Sequence, residues 1–431
     1  MSLFNWRFTR REFVARGGLL SALAAMPNPL SALQNAAAAK SRPKKSPNIY
    51  ERLGVRTRIN AKGTYTALTG SLMPPEVAQA LHEAAEHYVY LEELQAAVGK
   101  KIAELLGVEA ALVTSGAAGA MTLGTAACVT GKDPEKIRRI PDTAGMKNEV
   151  VMQKSHRNGY NHAMRNVGVR LVEIETLEEA ERAINDNTAM LFFLNFAQGS
   201  GKIGLQQWVE LGKKHGIPTF NDAAADVPPA SHLSDYSKMG FDLVAFSGGK
   251  GLRGPQCAGL MLGRKDLIEA AQLNNNPNSD TIGRGMKVGK EEIVAMYAAV
   301  QRYLKVDHER EWKVWERKLD QIERIVSSVP GIQTGRFVPE VANHVPHLFV
   351  HWDEAALGLT RADCAKKLED GEPSIVCLVD DAHQGVSVTP YMMQPGDELI
   401  VARRLRAVLS EARRKSVAAG VQGGNQHDSF T

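Results

Sequence analysis

A lysine and an aspartate, each closing an apolar run, have the residue types and the order along the chain to do chemistry together. The lysine is Lys250, in Asp242-Leu-Val-Ala-Phe-Ser-Gly-Gly-Lys-Gly-Leu-Arg-Gly-Pro-Gln256. Leu243 to Phe246 reads as a short buried strand. It runs into Ser247-Gly248-Gly249, where the backbone can turn tightly and approach a ligand. A lysine held at a buried strand end is partly desolvated, which lowers its pKa and frees an amine nucleophile able to form a Schiff base. The stretch alone is equally compatible with a solvated lysine on a glycine-rich turn.

The aspartate tips the balance. In Ile217-Pro-Thr-Phe-Asn-Asp-Ala-Ala-Ala-Asp-Val-Pro-Pro229 a short strand ends at Asp222 and small residues follow. A carboxylate there can pair with a protonated pyridine nitrogen, and Ala224 and its neighbours leave room for a flat ring. An aldimine lysine and an acid at the ring nitrogen are the partners of pyridoxal 5′-phosphate (PLP). A third element fits the same ligand. Ala110 to Thr114 reads as a strand, and Ser115-Gly116-Ala117 opens a helix whose backbone N–H groups can receive a phosphate. The competing role for Ser115 is ordinary helix capping.

The positioning elements alternate. Strands are predicted at 110–114, 149–153, 169–174, 189–195, 217–222, 243–246 and 258–262, with helices between most of them. The 189–195 run is nearly all apolar, as a sheet covered on both faces requires. This alternation predicts an α/β fold with a mainly parallel sheet between crossover helices. Asn195, Gln198 and Ser200 then fall where ligands sit in open α/β sheets. A long helical region, 291–326, leads to a smaller α+β part with strands at 347–352, 374–378 and 385–389 and a closing helix at 398–409. The domain boundaries expected are a large domain over 76–305, a small C-terminal domain over 306–415 and a disordered tail over 416–431.

The segments YERLGVRTRINAKGTYTALTGSLMPPEV, LVTSGAAGAM, NDAAADVPP, SGGKGLRGPQCAGLMLGRKDLI and IGRGMKVGKEEIVAM together resemble one family. It is the branch of the fold-type I PLP enzymes that holds selenocysteine synthase and D-glucosaminate-6-phosphate ammonia-lyase-like proteins. The resemblance runs from about residue 49 to about residue 409. It implies a seven-stranded-type large-domain sheet and a homodimer or higher assembly. It also implies that His156 stacks on the pyridine ring with Ala224 covering the opposite face, and that Arg284 reaches a PLP phosphate or substrate across a dimer interface. Spacing alone makes His156 an ordinary hydrogen-bonding histidine and Arg284 a solvated basic residue. The expected cofactor site is therefore Ser115, Gly116, Ala117, His156, Asp222, Ala224, Ser247, Lys250 and Arg284, with Lys250, Asp222 and His156 catalytic. An arm before residue 75 brings Asn60, Thr64, Tyr65 and Thr66 near substrate or into simple loop bonding.

Composition narrows the classes. The 431 residues are 44% hydrophobic and 23% charged, ordinary for a globular protein with a large core. A net charge of +4 argues against an extended nucleic-acid surface. Cys128, Cys257, Cys364 and Cys377 are scattered, with no zinc spacing or disulfide framework, and read as small buried residues. No metal site is expected. Arg10-Arg11 followed by an apolar, alanine-rich stretch reads as a twin-arginine (Tat) export signal over 1–39, with a basic linker and the arm over 40–75. A periplasmic or secreted protein is the consequence, loaded with cofactor before export, and no membrane contact is expected beyond export.

The expected function is PLP-dependent α,β-elimination on an amino acid or amino-sugar acid, an ammonia-lyase or dehydratase reaction through a Lys250 aldimine. The alternatives are β-replacement on seryl-tRNA of the selenocysteine synthase type, transamination, and a PLP-holding binding protein without turnover.

Overall fold

The computed structural model describes residues 47–424. The expected export signal (1–39) and the final residues 425–431 lie outside them. Residues 47–57 belong to a separate compact unit. It contains one turn of helix, Ile49–Arg52, closed by reciprocal bonds between Asn48 and Glu51.

From Arg58 onward the strands are β1 (Arg58–Asn60), β2 (Ala110–Thr114), β3 (Glu149–Gln153), β4 (Arg170–Ile174), β5 (Thr188–Leu194), β6 (Thr219–Asp222), β7 (Leu243–Ser247) and β8 (Gly259–Gly263), then β9 (Gln333–Phe337), β10 (His347–His351), β11 (Ser374–Val376), β12 (Leu378–Asp380) and β13 (Gly385–Val388). Seven of them form one sheet in the order β2-β8-β7-β6-β5-β3-β4, parallel except for β8, which runs antiparallel to both neighbours. The period-2 alternation of β5 splits its side chains between two cores. Met190, Phe192 and Leu194 face the helix Gly116–Thr130, while Leu191 and Phe193 face the helices that carry Trp208 and Tyr236. Covered on both faces, β3, β5 and β8 are buried throughout.

Four strands, in the order β12-β13-β10-β9, make an antiparallel sheet whose inner face packs on the helices His308–Val326, Arg361–Asp370 and Asp397–Gly424. β1 pairs in parallel with β11, so the arm is stitched to the C-terminal part. The architecture is the α/β arrangement the sequence predicts.

Several details differ. The expected strand 374–378 divides at Cys377, its first half pairing with β1 and its second joining the four-stranded sheet. The long helical region is two helices, Lys290–Lys305 and His308–Val326, because the Asp307 side chain accepts the Arg310 N–H at 2.9 Å and starts a new helix. β9 carries Gly335 and Arg336, too weak a pattern to be predicted. The last helix does not end at Leu409 or give way to a tail at 416. It continues to Gly424, since 411–415 are good helix formers with a Glu411–Lys415 pair, and Ser416 donates to the Ala356 carbonyl. Cys257 is exposed rather than buried.

Candidate active site

The C-terminal ends of β5, β6 and β7 lie side by side, with Leu194 registered on Asp222 and Asp222 on Ala245. Asp222 shares the face of Phe220, whose ring lies against Gly124 of the helix Gly116–Thr130. The carboxylate is buried and receives one hydrogen bond, from the Ala224 N–H at 3.1 Å. Burial pushes its pKa up to about 6; the nearby Lys250 charge and the Ala224 N–H oppose the rise, and Asp226 adds to it.

Lys250 follows β7 on a loop that folds back on itself. The Gly254 N–H donates to the Gly248 carbonyl at 2.8 Å and the Arg253 N–H to the Lys250 carbonyl at 3.0 Å. The glycines are sterically required: a Cβ on Gly249 would overlap the backbone of Gln256, and one on Gly251 the Val227 carbonyl. Burial lowers the Lys250 pKa, while the charges of Asp222 and Asp226 raise it. Its amine thus leans toward the neutral, nucleophilic form. Lys250 and Asp222 influence each other electrostatically but form no ion pair among the described contacts.

At the start of the helix Gly116–Thr130, Ser115 makes no capping bond. Ser115, Gly116 and Ala117 are half-buried, and Gly116 is left-handed at φ 70°, with its carbonyl accepting the Thr114 hydroxyl at 2.9 Å. The first-turn N–H groups are therefore left to an outside acceptor. Gly259 was not singled out from the sequence, yet it makes this possible. A Cβ there would overlap the Gly116 carbonyl, so only glycine lets β8 pass beneath the helix end. Ser247 closes β7 and donates its N–H to the Ala224 carbonyl at 3.2 Å, joining the Lys250 and Asp222 loops.

His156 lies beside these strand ends but has no exposed surface. Its Nδ1 accepts the Leu194 N–H at 3.1 Å, its ring meets Phe193 edge-on at 4.5 Å, and burial pushes its pKa down to about 4. Its Nε2 lies 3.3 Å from the Gln153 side-chain nitrogen, so backbone and a neighbouring side chain both hold the ring. Arg284 is not brought to this cluster within the chain. Its guanidinium is exposed and donates to the Pro277 carbonyl at 2.8 Å, and the adjacent Gly283 packs on Leu123, in the middle of the helix rather than at its start.

The arm touches the site loop directly. Ser71 donates to the Gly249 carbonyl at 2.9 Å and Gln256 to the Thr66 carbonyl at 3.1 Å. Asn60 closes its own turn onto Lys62 and Gly63, and Thr64 binds Asn343 through both N–H and hydroxyl. Asp226, Tyr236, Ala342 and Asn343 also converge here and were missed. The sequence does show Asp226, four residues after Asp222, but within a run read only for its small residues. Among the described residues no group of three or more His, Cys, Asp or Glu is placed to hold a metal ion, and no helix is long and apolar enough to cross a membrane.

PLP fits these residues. Asp222 has acceptor capacity to spare for a pyridine N–H, Lys250 offers a desolvated amine, and an uncapped helix start is ready for the phosphate.

Comparisons with known proteins agree. Residues 58–326 match the family model for SelA, L-seryl-tRNA selenium transferase. The chain is 30% identical over 379 residues to D-glucosaminate-6-phosphate ammonia lyase of Salmonella typhimurium, covering 85% of this chain and 99% of that protein. It is 31% identical to a 5'-C-glycyluridine monooxygenase-decarboxylase of a Streptomyces species, over 84% of this chain and 92% of the relative. A solved D-glucosaminate-6-phosphate ammonia-lyase superposes with a TM-score of 0.76 at 30% identity, over 85% of this chain and all of that one. The protein is thus a PLP-dependent enzyme of fold-type I, and it belongs to the L-seryl-tRNA selenium transferase family.

Proposed function

We propose that this enzyme removes ammonia from a β-hydroxy amino acid or amino-sugar acid by α,β-elimination. The observation that carries the reading is the desolvated Lys250 amine, without an ion pair among the described contacts, on a loop joined to the Asp222 loop by the Ser247 N–H bond to the Ala224 carbonyl, so that the two buried charges act on each other. Bound PLP supplies an electron sink for the carbon that loses its proton. Asp222 keeps a proton on the ring nitrogen, which makes that sink effective. The Lys250 nitrogen takes the Cα proton and returns it to the departing β-hydroxyl, which leaves as water. Hydrolysis of the enamine so produced gives a keto acid and ammonia. The match to the ammonia lyase along 99% of its length favours this reaction. Incubation of the purified enzyme with D- and L-hydroxy amino acids and phosphorylated or free amino-sugar acids tests it. Ammonia and keto acid in equal amounts are expected; keto acid formed only with an amino acceptor present would mean transamination instead.

A second reading comes from the Streptomyces relative, whose name specifies oxygen-dependent decarboxylation. Oxygen uptake with release of carbon dioxide in the same screen would favour it. Transfer to a seryl-tRNA remains the alternative drawn from the family name.

The enzyme works as a homodimer or higher assembly in this reading. Support comes from an exposed apolar loop, Tyr88 (102% exposed), Val89 (54%) and Tyr90 (79%), and from Arg284, which finds no role at its own site. Mixing inactive Lys250→Ala and Arg284→Ala chains should restore activity in mixed dimers if Arg284 serves the neighbouring site. The pair Arg10-Arg11 and the alanine-rich stretch after it support export through the twin-arginine pathway. Fractionation and N-terminal sequencing of the mature protein check this; full-length protein confined to the cytoplasm would refute it.

A further inference from the structure

The turn that carries Lys250 is held on both sides by residues far from it in the chain. Before the lysine, the Gly249 carbonyl accepts the Ser71 hydroxyl at 2.9 Å. After it stands Tyr391, a residue only 4% exposed that follows β13 and that the elimination does not use. The Tyr391 hydroxyl lies 2.8 Å from the place a Gly251 Cβ would take. It also donates to the Val227 carbonyl, at a long 3.4 Å. Gly251 is the neighbour of Lys250, and Val227 lies on the stretch that leaves Asp222. One phenol therefore touches both loops that carry the reacting pair.

Tyr391 is itself fixed from several directions. Its ring meets Trp315 of the helix His308–Val326 edge-on, with centroids 5.1 Å apart. The Arg253 guanidinium lies over the ring, 5.8 Å from its centroid, and donates to the Tyr391 carbonyl at 3.0 Å. Two residues upstream, Thr389 donates its hydroxyl to the Pro346 carbonyl at 3.0 Å and its N–H to the Ala61 carbonyl at 2.9 Å. The C-terminal part and the arm thus hold one ring against the Lys250 turn.

Two features set this apart from plain packing. Arg253 is a non-glycine residue in the left-handed region, at φ 56°, where glycine would be free of strain. Its N–H donates to the Lys250 carbonyl at 3.0 Å, which closes a turn and keeps the two Cα atoms within about 7 Å. The strained position therefore supplies a guanidinium that ties the Lys250 turn to Tyr391. The second feature is the phenol oxygen. A phenylalanine ring would fill the same space, but only the hydroxyl reaches Gly251 and Val227.

We propose that Tyr391 is a positioning residue for Lys250. Clamped by Arg253, it sets the spacing between the turn that carries the lysine and the loop that carries Asp222, so that the amine is presented at a fixed place to a ring held by that aspartate. A misplacement of about 1 Å can cost on the order of 10² in rate. The inference rests on PLP being bound through Lys250.

The test is the capture of PLP by the cofactor-free protein, followed in stopped flow by the growth of the visible band. In this step the Lys250 nitrogen bonds the aldehyde carbon, and the aldehyde oxygen leaves as water. The rate at saturating PLP reports the placement of the amine, and the half-saturating concentration reports the binding that precedes it. In Tyr391→Phe the saturating rate should fall about tenfold, with the half-saturating concentration within about twofold of wild type. Arg253→Asn removes the guanidinium but tolerates left-handed backbone, and should lower the rate in the same way by less. Arg253→Lys keeps a donor for the Tyr391 carbonyl and should recover part of that loss. If Tyr391→Phe does not fold, the two arginine variants carry the test. A saturating rate unmoved in whichever of these variants folds, even with a lower melting temperature, would show a packing role and overturn the proposal. A change confined to the half-saturating concentration would make Tyr391 a holder of the cofactor and overturn it as well. A wild-type protein with no visible band at any PLP concentration would instead sink the reading of Lys250 on which the proposal stands.

Discussion

Two aspartates close strands in this molecule, Asp222 at the end of β6 and Asp380 at the end of β12, and their surroundings are opposite. Asp380 accepts from the Ser387 hydroxyl, from the His383 N–H at 3.0 Å and from His383 Nδ1 at 2.9 Å. The His383 ring is itself held between Phe349, at 4.5 Å and nearly parallel, and Phe337, also at 4.5 Å. Burial raises the Asp380 pKa, but the hydroxyl and histidine bonds outweigh it, and the carboxyl lies below its usual range. Asp222 has one backbone donor and sits at about 6. A charge completed by its own neighbourhood serves the fold. A charge left under-partnered in a buried place is kept for something that binds.

The largest effect separating the two regions should come from Lys250, which gives Asp222 its purpose. Lys250→Ala should lower ammonia release by more than about 10³-fold and remove the visible band, with the fold intact by circular dichroism. Turnover within tenfold of wild type would end the assignment.

Asp222→Asn comes next, with a loss of about 10²-fold in kcat as the ring nitrogen loses its anionic partner. Its signature in the cofactor-free protein is a pH slope. Burial lifts the folded pKa from the ordinary 3.8 to about 6, so the folded chain holds an extra proton between those values. The Asp222 contribution to stability therefore declines as pH rises through that window and stays reduced above it. Denaturant melts of cofactor-free wild type and Asp222→Asn at pH 4, 5, 6 and 7 should diverge, the variant gaining on the wild type. Parallel curves would mean that Asp222 is not desolvated as described.

Gly259→Ala probes the phosphate end of the site. The added methyl must push the Gly116 carbonyl and the Ala117 N–H aside, at a cost of roughly 1–3 kcal/mol. Cofactor affinity should fall about tenfold, measured by equilibrium dialysis, while Gly285→Ala, where a Cβ meets open space, should leave it unchanged.

How much of this was legible before the fold depended on how local each cause is. Lys250, Asp222 and the Ser115-Gly116-Ala117 turn each end a strand or start a helix, so flanking apolar runs and glycines reveal them. The sheet was legible for the same reason, since β3 and β5 are short apolar runs bounded by turn residues. Asp226 needed Asn195, Tyr236 and Ala342 beside it to stand out, and those come from three other segments. Gly259 looks like any strand glycine until the helix end lies on top of it. His156 is the converse: its type and place fit a ring-facing role, but only the fold shows both the Leu194 N–H on its Nδ1 and its complete burial. β1 with β11 was illegible because three-residue strands have no periodicity to read.

The smallest effect on activity should come from Asp380→Asn, and its value lies in its opposite sign. The Asp380 pKa is depressed in the folded chain, so its stabilisation is present above the ordinary carboxylate value and is lost as pH falls through the lower folded one. The variant gives up the charge-assisted bonds from Ser387 and His383 at neutral pH, a loss of about 1 kcal/mol once solvent screening is allowed for. Stability curves of wild type and Asp380→Asn should therefore lie apart at pH 7 and converge under acid, while ammonia release per folded enzyme stays at the wild-type rate. If Asp380→Asn instead reduced turnover without changing stability, the face formed by Phe337, Phe349 and His383 would belong to the reaction. The division between a charge that completes the fold and a charge kept for a ligand would then have been drawn in the wrong place.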